Sequence, residues 1–212
     1  TYEFVEYRRW RAGEVWRFGP FAVTDPYRTV VDIARTSAFR YALGYVDGLA
    51  REYDVEREEL RAYAQANCRG LHGIARAFDV FEYMDGRSDN GGESEARAAM
   101  LLAGIAAPEL QVELARPGNS GYYLADYGWQ MPDGSWMLAE LHGLGKFEDD
   151  TQNDLEHAAA KTYRAALLRD ANLRAMGHNV IHFKLSDTYD VDAFGAMMRG
   201  YGIPTTKPFA DS

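Results

Sequence analysis

Between Tyr122 and Phe147 the chain reads YYLADYGWQMPDGSWMLAELHGLGKF, two apolar-rich runs joined by Pro132-Asp133-Gly134. Proline fixes φ and glycine accepts a positive φ, so the joint is a turn with a mechanism and the runs become the arms of a β-hairpin. Each arm carries one acid near its end, Asp126 on the first and Glu140 on the second. Hairpin strands lie only about 4.8 Å apart. Two carboxylates on neighbouring strands and on one face can therefore share a divalent cation. Mg²⁺ takes such carboxylates, keeps several waters and binds substrate phosphate. The turn, not the even spacing of the two acids, sets the register, so the sequence leaves their facing open. The pair points to phosphodiester hydrolysis.

A chain of 212 residues can bury one sizeable core, or one core with a smaller appended lobe. Its 47% hydrophobic and 26% charged residues are ordinary for a globular protein. No apolar run approaches the roughly 20 residues that span a bilayer, and no signal peptide is recognisable. The chain starts at Thr1 rather than Met, which leaves removal of a leading segment open. A single cysteine, Cys68, excludes an internal disulfide and a cysteine zinc cluster within this sequence. The default expectation is a cytoplasmic protein with no membrane partner. The net charge of −9 argues mildly against nonspecific nucleic-acid binding, although a local basic face beside an acidic centre is compatible with it.

In chain order, residues 1–35 are strand-like and turn-rich, with a basic character from Arg8, Arg9, Arg11 and Arg17. Thr24-Asp25-Pro26 reads as a helix start. Further helices are expected over 38–53, 55–67 and 71–84, and no catalytic cluster stands out among them. Asp32, Asp47 and His72 are isolated and read as solvated or capping residues. The loop from Asp85 to Gly92 is a boundary by composition. A helix follows over 93–104, in which Glu93 and Arg97 share a face and read as a surface ion pair. A strand at 108–114, the hairpin, a helix over 157–176, a strand at 179–185 and a helix over 191–201 complete the pattern. Lys161, Arg164 and Arg169 lie broadly along one side of the 157–176 helix. This order fits an α/β fold around a mixed sheet.

Taken together these residues resemble a known family. The second half is similar to the very-short-patch-repair-like endonuclease domain of the PD-(D/E)XK superfamily. Glu93-Ser94 with Arg97, Pro108-Glu109-Leu110-Gln111, Leu124-Ala125-Asp126, Glu140 followed by Gly143, and Arg169-Asp170 with Leu173, Gly177 and Val180 carry the likeness. The first half resembles the region preceding that domain in actinobacterial proteins related to AbiEi-type antitoxins. Phe21-Ala22-Val23-Thr24-Asp25-Pro26, then Arg28 to Asp32 with Ala34-Arg35, carry that match. The resemblance implies a restriction endonuclease-like mixed sheet flanked by helices over 86–212, preceded by a smaller mostly helical lobe over 1–85. The winged-helix segment that often opens such proteins is not found within this sequence; in that arrangement it would lie before Thr1.

The family pattern also implies roles. Asp126 would be the core ligand of Mg²⁺ or Mn²⁺, Glu140 the second acid, and Glu93 the residue that completes or orients the metal shell. Lys161, Arg164 and Arg169 would contact DNA backbone phosphates. The superfamily's last position, two after the acid, is usually Lys and in this branch commonly Asp followed by Gly. Here it is His142, a residue able to act as a base or a metal ligand. Lys146, four further on, offers a cation, against the plainer reading of a solvated lysine. The implied function is a metal-dependent DNA endonuclease. A catalytically silent nuclease-fold DNA-binding or regulatory protein, antitoxin-like, is the alternative, favoured by the acidic charge and by His142. Oligomeric state, including a homodimer, is left open. A small-molecule hydrolase lacks support, because no G-x-S-x-G, P-loop or HExxH motif is present.

Overall fold

A computed structural model describes residues 15–118, 121–142 and 152–209, with side chains described outside 15–18 and 152–163. The first lobe opens with a short hairpin, β1 (Val15–Phe18) and β2 (Phe21–Thr24). Four helices follow: α1 (Pro26–Thr36), α2 (Phe39–Tyr53), α3 (Arg57–Asn67) and α4 (Ile74–Phe81). The start of α1 is the one expected from the sequence, since Pro26 opens the first turn and the Asp25 carboxylate accepts from Arg28 N at 3.0 Å. Val30, Val31 and Ala34 of α1 then pack with Phe39, Leu43 and Val46 of α2 in the helical core.

The second region comprises α5 (Gly91–Leu102), β3 (Glu109–Ala115), β4 (Tyr122–Gln130), β5 (Trp136–His142), α6 (Gln152–Ala175), β6 (Asn179–Lys184) and α7 (Val191–Gly200). The four strands form one mixed sheet in the order β3-β4-β5-β6. The first two pairings are antiparallel and β5–β6 is parallel. A parallel neighbour requires a crossover, and α6 supplies it. The Pro132-Asp133-Gly134 turn is as read: Gly134 has φ +84° and the Asp133 carboxylate accepts from Ser135 N at 2.9 Å. The fold is thus a mixed α/β sheet flanked by helices and preceded by a mostly helical region. Among the described residues no helix is long and apolar enough to cross a membrane.

Leu173 of α6 packs with Val112, Leu114, Ala125, Leu138 and Val180 on one face of the sheet. The other face packs Tyr127, Trp129, Ala139 and Phe183 against α5 and α7 through Ala96, Met100, Phe194 and Met198. The helix α6 begins at Gln152 rather than at 157.

Two expectations fail around α5. Asp47 is not a solvated or capping residue: it is 0% exposed and takes Arg97 Nη2 on both oxygens, at 2.8 and 2.7 Å. Nor do Glu93 and Arg97 form a surface pair. Both are buried, and Arg97 turns to α2 while Glu93 faces its own N-terminal loop. The reason is that α5 is covered on two sides, with Ala98 and Leu101 in the helical core and Ala96, Ala99 and Met100 in the sheet core. No surface side remains for a solvated pair. The Asp85–Asp89 loop is also tied in, as Asp85 N donates to Asp47 and Arg51 donates to Ser88 O.

Removing one partner of a buried ion pair leaves an uncompensated charge in low dielectric. Arg97→Met should therefore destabilise the chain by about 3–5 kcal/mol in urea unfolding. The double variant Asp47→Leu/Arg97→Met should recover most of that loss, since a well-packed apolar pair is often as stable as the ion pair it replaces.

Candidate active site

The site lies where β4 parts from β5. Their ladder runs from Gln130↔Trp136 to Tyr127↔Ala139 and stops there, whereas β5 stays paired to β6 as far as His142↔Lys184. The next step of the β4–β5 register would face Asp126 with Glu140. Asp126 Oδ2 instead accepts from Leu141 N at 2.8 Å, so its carboxylate sits against the β5 backbone beside Glu140.

A second distortion meets the first. Residues two apart on a strand ordinarily share a face. Leu110 and Tyr127 nevertheless belong to the α5 side, and their neighbours Val112 and Ala125 to the α6 side. Both strands of the pair therefore change faces at one level, between Leu110↔Tyr127 and Val112↔Ala125. Gln111 and Asp126 occupy that level, and Gln111 has φ +51°, an unusual conformation for a residue with a side chain. The switch places Asp126 between Glu93, which approaches from α5, and Glu140, which lies on the α6 side.

Glu93 is held by its surroundings. Its Oε2 accepts from Asp89 N at 2.8 Å and Gln111 Nε2 at 3.2 Å, and its Oε1 from Asn90 Nδ2 at 2.7 Å. Tyr127 donates its hydroxyl to the Glu93 carbonyl at 2.9 Å, which locks the turn to the sheet. Burial pushes the Glu93 carboxyl above its ordinary range, and the Asp126 charge adds to the rise. Glu140 is raised as well, by burial first and with Asp126 contributing, against the pull of Arg169. The Asp126 charge thus acts on both glutamates and resists the ionisation of each.

His142 stacks on His182, with ring centroids 4.7 Å apart and planes 16° from parallel. Burial lowers the His142 imidazole below its ordinary value, and the His182 ring beside it acts in the same direction. His182 stands opposite Glu140 in the parallel register, and its Nε2 lies 2.7 Å from Asp170 Oδ2 of α6. The sequence reading gave no site role to His182 or to Asp170, although Asp170 is among the residues that carry the resemblance. The alternation Val180, His182, Lys184 on β6 was the available signal, because it puts His182 on the face that Leu138 and Glu140 share.

Of the expected cations, Arg169 reaches the acids: its Nη2 donates to Glu140 Oε1 and to the Leu124 carbonyl. Arg164 is exposed on α6. Lys161 lies within α6 with its side chain outside the described residues, and Lys146 lies outside them altogether. Carboxylate oxygens are the donors that a hard cation prefers. Among the described residues no group of three or more His, Cys, Asp or Glu is placed to hold a metal ion. Asp126 and Glu140 are two such donors on neighbouring strands, joined through the Leu141 N–H that Asp126 accepts.

A carboxyl whose pKa is higher folded than unfolded costs stability once ionised, and that cost vanishes as pH falls below the unfolded value. Glu140→Gln keeps an acceptor for Arg169 and removes the charge. It should raise the melting temperature near pH 7, where about 2–4 °C corresponds to 1 kcal/mol in a chain of this size. The gain should disappear in melts near pH 4, the ordinary range of the glutamate.

No family model matches the chain, and no solved structure matches it. Two curated relatives are uncharacterized proteins of Mycobacterium tuberculosis, from strains CDC 1551 / Oshkosh and ATCC 25618 / H37Rv. Each is 34% identical to this chain over 106 residues, which is 50% of this chain and 38% of the relative. The chain thus spans well under half the length of the curated relatives it matches.

Proposed function

We propose that this chain is a metal-dependent DNA endonuclease. The observation that carries the reading is the convergence of Asp126 and Glu140 at the parting of β4 and β5, with Glu93 supported behind them by Asp89, Asn90 and Gln111. Asp126 and Glu140 would hold Mg²⁺ or Mn²⁺. When bound, the ion supplies a water of lowered pKa and stabilises charge on the phosphate.

The chain's own groups have separable tasks. Asp126, fixed by Leu141 N, presents a carboxylate of set orientation. Glu93 adds negative potential from the first turn of α5, where Asp89 N and Asn90 hold it. His142, with its pKa lowered by burial, is neutral at physiological pH and can accept a proton at a ring nitrogen. Lys161 and Arg164 on α6 would meet the DNA backbone phosphates, giving affinity without sequence information.

A second reading has its own support. Glu140 is already engaged by Arg169, and His142 stands where the superfamily carries lysine. Both features suit a nuclease fold that binds DNA in a regulatory, antitoxin-like role without cutting it.

Cleavage of plasmid DNA under Mg²⁺ and Mn²⁺ separates the two. The endonuclease reading expects Asp126→Ala to abolish nicking and His142→Asp to retain or raise it. With no cutting by the wild type or by His142→Asp under either ion, the regulatory reading stands instead. In either case Lys161→Ala/Arg164→Ala should weaken DNA binding and flatten its salt slope, by about 0.9 for each phosphate that the variant no longer neutralises.

A further inference from the structure

Arg169 is placed differently from the other basic residues of α6. Its side chain is 25% exposed and that of Glu140 13%, so their contact is largely shielded from water. One nitrogen, Nη2, serves both Glu140 Oε1 on β5 and the Leu124 carbonyl on β4. The contact therefore spans the two strands beyond the point where their ladder has ended. A guanidinium N–H and a divalent cation compete for the same carboxylate lone pairs.

We propose that Arg169 is a latch on Glu140: its guanidinium occupies the oxygen that a divalent cation needs, and cation binding releases it toward a substrate phosphate. This inference rests on the reading of Asp126 and Glu140 as the cation pair. Asp126 is bonded to a backbone N–H that can stay in place when a cation arrives. Glu140 has to release Oε1 from Arg169 before both of its oxygens can serve a cation. Arginine stays charged at every working pH and presents a planar fork that matches phosphate, so the released group remains useful.

The contrary assignment is a staple. If Arg169 holds Glu140 in a ligating position and ties β4 to β5, its removal should weaken cation binding. The latch requires the opposite sign, and no merely structural role gives that result.

The test is isothermal titration of the full chain with Mn²⁺, with thermal melts to confirm folding. Arg169→Met should bind Mn²⁺ about tenfold or more tightly than the wild type, the size expected for one hydrogen bond to a charged group. Arg169→Gln provides a second variant that keeps a polar side chain of similar reach, and should also bind more tightly. Arg174→Met removes a charge from the same helix without touching Glu140, and should leave the affinity within about twofold. On a nuclease-resistant phosphorothioate duplex, Mn²⁺ should steepen the salt dependence of wild-type binding by about one neutralised phosphate. In Arg169→Met it should not. Equal or weaker Mn²⁺ binding by both Arg169 variants overturns the latch and makes Arg169 a staple. Equal tightening by Arg174→Met overturns it too, since bulk charge would then explain the change. If neither the wild type nor any variant binds Mn²⁺, the cation-pair reading falls and the latch with it, an outcome distinct from a wild type that binds and an Arg169 variant that does not improve.

Discussion

Arg97 and Asp47 meet inside the protein, and the placement of α5 depends on them. A helix covered on two sides has little freedom to slide, because each shift must break packing against both the helical lobe and the sheet. The ion pair adds direction to that packing, since Arg97 Nη2 reaches both oxygens of a carboxylate that is itself fixed by Asp85 N. Burial raises the Asp47 carboxyl above its usual range even so, against the favourable field of Arg97. The pair is thus better understood as fixing one arrangement than as adding net stability. One turn before Arg97 on α5 stands Glu93, and the register of the helix decides where that acid points.

From α5 the constraint passes to the sheet. Tyr127 packs in the core facing α5 and bonds the Glu93 carbonyl, while Ala125 packs in the core facing α6. The strand between them must change faces, and Asp126 is the residue at which it does so. An acid at such a point is neither a core residue nor a surface one. It is half desolvated, fixed by a backbone N–H and close to two other carboxylates, which is a costly arrangement for folding. Strain and perturbed carboxyls of this kind are enriched at ligand and active sites in proteins generally.

Beside the acids stand a guanidinium and a pair of imidazoles. Arg169 binds Glu140, and the dyad of Asp170 and His182 lies under His142. All of them project from the α6 side, through residues that α6 and the β5–β6 pairing bring to one face. The parallel pairing makes this possible, because it returns the chain after α6 in line with β5 and puts His182 level with Glu140. An antiparallel return would have ordered the same residues differently along the edge.

The sequence by itself determined the elements. Hydrophobic periodicity, the Asp25-Pro26 helix start and the Pro132-Asp133-Gly134 turn depend on neighbours within a few residues, so they are legible without a fold. The hairpin that carries Asp126 and Glu140 is of this local kind. Tertiary structure alone decided what those acids meet. The charge on Asp47 reads as solvated until α5 covers it with Arg97, 50 residues away. Arg169 reads as one of three cations on a helix until α6 lays it across Glu140. The positive φ of Gln111 has no signature in its own sequence, since it arises from two strands exchanging faces between two separate cores. Contacts of this reach follow from how the layers stack, and residue order constrains that only through the packed whole.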